Sequence, residues 1–373
     1  MTTPSDPKPT LVRWYIDTRP LTTTSPALPL LETLQPTEQQ AIQKYYHLKD
    51  RHMSLASNLL KYLFIHRTCR IPWSQITISR TPAPHHRPCF IPSAAVLSSS
   101  STTPIPTVEF NVSHQDSMVA LAGTTIPPNP TPAKQQQEIQ VGIDITSTTE
   151  HLRSPRNPSP PTRSAFLEYV SIFTEIFSAR ELSLIKSLTH PVHGYSVSST
   201  EGVVYSYRVF FAYWALKEAY IKMTGEALLA EWLRELEFLD VRVPDTDGEV
   251  YRGVRVLMKG REVKEVRVEV QAFEGGYLVA TAARGGRVGR VDDGTRRDGD
   301  GDVWEGLRRL DVEGDVRECA EGRKETHWPR HAMDGLTKSK TRSLLYPPLR
   351  LSFYWIYVPP VCSLAPQQWL LLP

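Results

Sequence analysis

Residues 210–222, FFAYWALKEAYIK, place an acid, Glu218, among aromatic and aliphatic neighbours. At about 100° per residue, a helix gathers Phe210, Phe211, Trp214, Glu218 and Ile221 within roughly one third of its circumference. Lys217 and Lys222 flank that stripe. A lone ionised carboxylate on a buried face costs several kcal/mol, so something must offset it. One candidate is the i, i+4 pair Glu218–Lys222, worth only about 0.3–0.5 kcal/mol when exposed. The other is a metal ion in a cleft, with the lysines turned to a phosphate.

A second acid supports the cleft. VGIDI places Asp144 in an apolar strand beside Val141, Ile143 and Ile145. Gly142 shares its face of the strand, so something can approach the carboxylate closely. A strand-end turn acid is the plainer alternative. Two carboxylates from separate elements suit Mg²⁺, with water and phosphate oxygens completing the octahedron. FNVSH, at 110–114, ends another strand, and both Ser113 and His114 can donate to a phosphate. A histidine at a turn is also commonly just solvated.

These groups need a scaffold, and the pattern supplies one. LVRWYIDTR (11–19) reads as a first strand and 36–68 as a long helical region, with Thr37 and Gln40 in capping-box spacing. The stretch from 108 to 124 reads as two strands broken near 114–116. EIQVGIDIT is a buried strand ending in Asp144, and 164–177 and 178–185 are helical, the latter capped by Ser178 and Glu181. The helix bearing Glu218 runs over 205–223. Strands follow in LEFLDVRV, GVRVLMKG, EVKEVRVEVQAF and YLVATAA, the last joined by a hairpin at 274–276. Each part of the chain has a long helix, then strands, then a hairpin into a small-residue strand. This predicts an α+β fold of two similar halves, spanning 10–136 and 137–284. Residues 285–373 read as a low-complexity or irregular tail, mostly disordered. Within it 303–323 suits a short docked segment, and the stretch beyond 323 reads equally well as a gene-model artefact.

Composition narrows the class. The chain has 373 residues, 40% hydrophobic and 22% charged, which is ordinary for a globular protein with ample core. A net charge of +3 gives no footprint for nucleic acid. Cys69, Cys89, Cys319 and Cys362 are too scattered for a disulfide framework or zinc site, pointing to a reducing compartment. No signal peptide is expected, and prolines interrupt the apolar C-terminal run that a membrane helix would need.

Taken in order, FNVSH, VGIDI and WALKEAYIK resemble the surfactin-synthetase-activating type of 4′-phosphopantetheinyl transferase, the fungal members especially. Fainter similarity extends from about Trp14 to Ala283. The resemblance implies a cytoplasmic monomer of two α/β halves related by a pseudo-two-fold, with coenzyme A in the cleft between them. It implies transfer of the phosphopantetheine arm to a serine of an apo carrier domain, leaving adenosine 3′,5′-bisphosphate. The carriers would belong to fatty-acid, polyketide or nonribosomal peptide synthases or to aminoadipate reductase. Asp144 and Glu218 then correspond to Mg²⁺ ligands, and Glu218, Lys222 and His114 to catalytic groups. Ser54, Arg87, Ser113, His114, Lys217 and Lys222 correspond to coenzyme contacts. One departure stands out: many members read Asp-x-Glu where this chain has Thr146 after Asp144. It keeps open a coenzyme A- or carrier-binding relative without chemistry; a metal-dependent phosphohydrolase using the same two acids, and an α+β protein whose tail recruits partners, are further rivals.

Overall fold

The computed structural model describes residues 11–24, 26–83, 85–99, 104–126, 138–149, 161–226, 230–286, 288–289 and 304–323. The chain opens with β1 (Val12–Asp17), α1 (Arg19–Thr24), α2 (Pro36–Gln43) and α3 (Leu48–Cys69). The short strands β2 (Ile78–Arg80) and β3 (Pro88–Phe90), then α4 (Ala94–Ser99), lead to the hairpin β4 (Thr107–Gln115) and β5 (Met118–Ile126). Next come β6 (Gln140–Ser147), α5 (Arg163–Ser171), α6 (Ala179–Ser187) and α7 (Thr200–Thr224). β7 (Leu236–Leu239), β8 (Val250–Tyr251), β9 (Arg255–Met258) and β10 (Arg261–Glu262) precede the hairpin β11 (Val266–Phe273) and β12 (Tyr277–Arg284). β13 (Arg308–Arg309) and α8 (Arg317–Ala320) close the described chain.

Alternating side chains make four layers of these elements. One sheet has the order β13-β1-β5-β4 and a second β6-β12-β11-β8. On β5, Val119 and Leu121 join the core around α3, while Met118, Ala120 and Ala122 face the other way. There they meet Val141, Ile143 and Ile145 of β6 and Val279 of β12. The opposite face of β12, with Leu278, Ala280 and Ala282, packs on α7. The stack is therefore helix, sheet, sheet, helix, and each strand's period of two divides its residues between two interfaces.

Local chemistry explains the boundaries. The long helical region is two helices, and the N-terminal capping contact uses Gln35 and Glu38 rather than Thr37 and Gln40: the Gln35 N–H donates to Glu38 at 3.3 Å. Ser178 and Glu181 do form the box expected of them, at 3.2 and 3.0 Å. The β4–β5 turn places Asp116 and Ser117 at φ 46° and 76°, the backbone that a two-residue hairpin needs. β6 runs on to Ser147, so Asp144 lies mid-strand and is not a turn acid.

α7 corrects the picture of one apolar stripe. Core surrounds it on almost every side, and its less buried positions include Val204, Arg208, Glu218 and Lys222. These four fall on one side of the helix, so Glu218 lies half-buried on its least enclosed face and not at the centre of an apolar one. Gly142 explains how α7 comes so close to β6. A Cβ there would sit 2.0 Å from the Ala219 carbonyl oxygen and 2.4 Å from the Met223 nitrogen. The space beside Asp144 is thus filled by helix backbone. Gly142→Ala should force helix and strand apart and lower stability by about 1–3 kcal/mol, read as a lower thermal midpoint.

The segment 304–323 docks, although most of the predicted tail lies outside the described residues. Trp304 bridges to Leu11, and β13 pairs in parallel with β1. Leu310, Val312, Val316 and Cys319 enter the core around α3. The Trp304 indole donates to the Val288 carbonyl at 2.8 Å and lies under two guanidinium groups, Arg267 at 4.4 Å and Arg13 at 5.5 Å from the ring centre. Cys69, Cys89 and Cys319 are free thiols, and Cys362 lies outside the described residues, as does the apolar C-terminal run. Among the described residues no helix is long and apolar enough to cross a membrane.

Candidate active site

Three elements bring their polar groups to one point. β6 supplies Asp144, which is only 4% exposed. The next strand position, Ser113 on β4, donates its hydroxyl to Asp144 Oδ1 at 2.9 Å. Lys222 of α7 donates to the same Asp144 oxygen at 2.6 Å and to Ser113 Oγ at 2.9 Å. Glu218, one helical turn before Lys222, faces this triangle closely enough for the Asp144 charge to act on it. The three motifs read separately in the sequence therefore converge.

Electrostatics set the two carboxylates of the cluster against burial and one ammonium. Burial first, and then the Asp144 charge, push Glu218 up to about 7, with Lys222 opposing. Burial also raises Asp144, against the pull of Lys222 and Ser113. Two carboxylates share one ammonium in a desolvated place, a charge pattern that a divalent ion relieves. Among the described residues there is no group of three or more His, Cys, Asp or Glu side chains able to hold a metal. Two hard oxygen donors still fit Mg²⁺ or Mn²⁺, because such ions keep several ligands from water and phosphate. Thr146 lies on the same strand face as Asp144, is 1% exposed, and adds no charge.

A pH dependence follows. Glu218 sits above the ordinary carboxylate value of 4.5, so the metal-free fold holds a proton there more tightly than the unfolded chain. Stability from this group is therefore greatest at low pH and falls as pH rises through about 7. The thermal midpoint of chelator-treated protein should drop between about pH 5 and pH 8, and Glu218→Gln should flatten that slope. Divalent-ion affinity should run the other way, rising as the proton leaves.

The remaining candidates separate. Burial, aided by Lys222 and Lys61, pushes His114 down to about 4, so at neutral pH it is an uncharged imidazole beside the cluster. Arg87 donates to Glu109, to the Val141 carbonyl at 3.0 Å and to the Met223 carbonyl at 3.2 Å, pinning the end of α7 to β6. Ser54 stands on α3, its carbonyl accepting from the Asn58 amide at 3.0 Å, outside the Asp144 cluster. Lys217 is not at the site at all. It is 0% exposed, pairs with Glu181 at 2.9 Å and donates to the carbonyls of Leu233 and Leu236. Adjacent residues on a helix point 100° apart, and that turn carries Lys217 into the core while Glu218 faces the cleft. Ser113 is 2% exposed and already bonded to Asp144 and Lys222, which makes it a brace within the cluster.

Lys61 is a group the sequence did not disclose. It lies on α3 seven residues after Ser54, and so on nearly the same helix face. Burial lowers it to about 8, with Glu38 opposing and Arg80 adding to the effect, and it acts on His114. Its only trace in the sequence is that helical spacing.

Comparison with known proteins identifies the class. Residues 22–126 match the description "4′-phosphopantetheinyl transferase, N-terminal", and 140–282 match "4′-phosphopantetheinyl transferase superfamily". The chain belongs to the 4′-phosphopantetheinyl transferase family. It is 52% identical to 4′-phosphopantetheinyl transferase A of Aspergillus fumigatus, over 84% of this chain and 95% of that one. The 4′-phosphopantetheinyl transferase NpgA of Emericella nidulans is also 52% identical, over 86% of this chain and 97% of its own. The human L-aminoadipate-semialdehyde dehydrogenase-phosphopantetheinyl transferase is 28% identical, over 68% of each. The chain is accordingly a transferase that moves the 4′-phosphopantetheine arm of coenzyme A onto apo carrier proteins.

Proposed function

We propose that Asp144 and Glu218 together hold a Mg²⁺ ion on the coenzyme's diphosphate, and that the transfer takes place at this point. The observation that carries the proposal is the convergence of Ser113, Asp144, Glu218 and Lys222 from three elements far apart in sequence. When bound, the ion neutralises charge on the diphosphate. Glu218, ionised when the ion is held, accepts the proton of the carrier's serine hydroxyl. The serine oxygen bonds to the phosphorus bearing the pantetheine arm. The bond from that phosphorus to the bridging oxygen breaks, and the electron pair leaves with adenosine 3′,5′-bisphosphate. Lys222 has a third N–H beyond those given to Asp144 and Ser113, and it turns this to the transferring phosphate. His114, uncharged, offers one ring N–H. Positioning and charge do most of the work, as in other phosphoryl transfers.

The finer assignments belong to the same proposal. The enzyme is of the surfactin-synthetase-activating type and acts as a cytoplasmic monomer. The first sheet with α3 and the second with α7 are the two related halves, and coenzyme A lies across their junction, with Ser54 and Arg87 toward it. Fatty-acid, polyketide and nonribosomal peptide carriers and the aminoadipate reductase carrier are its acceptors. The test is to incubate the enzyme with coenzyme A, Mg²⁺ and a panel of apo carriers while following adenosine 3′,5′-bisphosphate. Release only with carrier is the expected result. Release without carrier means a phosphohydrolase, and no release means a binding protein without chemistry.

A further inference from the structure

β4 and β6 are edge strands of two different sheets, and no main-chain ladder joins them. The outward N–H groups of β6 are nevertheless taken up. Ile143 donates to Asn111 Oδ1 at 3.3 Å, Ile145 to Ser113 Oγ at 3.2 Å and Ser147 to Gln115 Oε1 at 3.1 Å. The offset is 32 residues in each of the three measured pairs, so the strands run parallel and in fixed register. Side-chain oxygens at every second position of β4 stand where a parallel neighbour would present carbonyls. The other face of β4, through Val108, Phe110 and Val112, is held by the core around α3.

We propose that Asn111, Ser113 and Gln115 are positioning residues for the transfer reaction. Their row of acceptors sets the register between the two sheets, and so places Ser113 of β4 against Asp144 and Lys222. This rests on the assignment of Asp144 and Glu218 as the pair that holds the divalent ion. A slip of one residue along β4 would turn Ser113 away from the cluster and bring Val112 or His114 opposite Asp144, since side chains alternate along a strand, while the β6–β12 ladder would still hold Asp144 toward α7. It would also strand buried N–H groups without acceptors. Ser113 has a double part, because the hydroxyl that accepts from Ile145 also donates to Asp144 and accepts from Lys222. Asn111 makes neither of those contacts, which allows register to be tested apart from the cluster.

The experiment uses the full chain and compares Asn111→Ala, Ser113→Ala and Ser113→Thr with wild type. Three quantities are read: amide exchange at Ile143 and Ile145, Mn²⁺ affinity by electron paramagnetic resonance without coenzyme, and kcat and KM for coenzyme A. Asn111→Ala should speed exchange at Ile143, weaken Mn²⁺ about tenfold and lower kcat about tenfold, with KM nearly unchanged. Ser113→Ala should do the same at Ile145, and Ser113→Thr, which keeps the hydroxyl, should recover most of the loss. If Asn111→Ala does not fold, Gln115→Met at the end of the row carries the same readouts at Ser147. Wild-type kcat and Mn²⁺ affinity in the Asn111 variant would overturn the proposal. So would a raised KM with unchanged Mn²⁺ affinity in Ser113→Ala, which would make Ser113 a coenzyme contact. Wild-type protein that binds no Mn²⁺, or Asp144→Asn that binds it equally well, would defeat the metal assignment. The kcat of Asn111→Ala would then still decide the positioning role.

Discussion

Asp144→Asn should lower carrier modification by about 10³-fold or more while leaving the protein folded. Asparagine keeps the shape and an oxygen that can accept from Ser113 and Lys222, as the carboxylate does. It removes the charge. Burial has already raised the Asp144 pKa, so the ionised carboxylate is held at a cost to the metal-free fold. The variant should therefore melt at the same temperature as chelator-treated wild type or slightly above it. Mg²⁺ should stabilise wild type and leave the variant unmoved. Calorimetry with and without Mg²⁺, beside a carrier-loading assay, reads both quantities. Turnover within tenfold of wild type would remove Asp144 from the chemistry.

Lys217→Ala should produce the opposite pattern, a large loss of stability with little change in KM for coenzyme A. The ammonium is buried between Glu181 at 2.9 Å and two backbone carbonyls. Burial pushes Lys217 down and Glu181 up, each held back by its partner. Removing one member leaves an uncompensated charge, at about 3–5 kcal/mol. The double variant Lys217→Met, Glu181→Leu should regain much of that, because paired apolar replacements of buried ion pairs are often close to neutral. Part of the loss will persist, since Glu181 also accepts from the Ser178 and Phe238 N–H groups. Urea unfolding measures the series. A raised KM without loss of stability would return Lys217 to the coenzyme.

Strand and helix positions were legible in the sequence wherever period and punctuation agreed. The β4–β5 and β11–β12 hairpins, the Ser178–Glu181 box and the long Glu218 helix all fall where alternation, capping residues and turns placed them. The site was legible as residue types: Asp144, Glu218 and Lys222 do meet. Direction was harder. A helix enclosed on nearly all sides has no single apolar stripe, so its pattern did not separate Glu218, on the less buried side, from Lys217, in the core. Gly142 was correctly read as allowing a close approach, yet its neighbour is the α7 backbone, which no local pattern reveals. Glu109, Asn111, Ser113 and Gln115 alternate with Phe110, Val112 and His114 along β4. The acceptor role of Asn111, Ser113 and Gln115 depends on a strand 32 residues away, a contact that period alone cannot specify.

The return of 304–323 to β1 bears on how the protein is made. Arg13 leaves the ribosome early, and its guanidinium donates to a carbonyl 292 residues later in the chain. Until those residues emerge, the nascent sheet displays an unpaired border along β1 and a hollow beneath α3 where Leu310, Val312 and Val316 belong. Exposed borders of this kind invite pairing with other chains. Synthesis halted before Trp304 would thus yield a polypeptide carrying every reacting group and lacking the piece that seals its first-made layer.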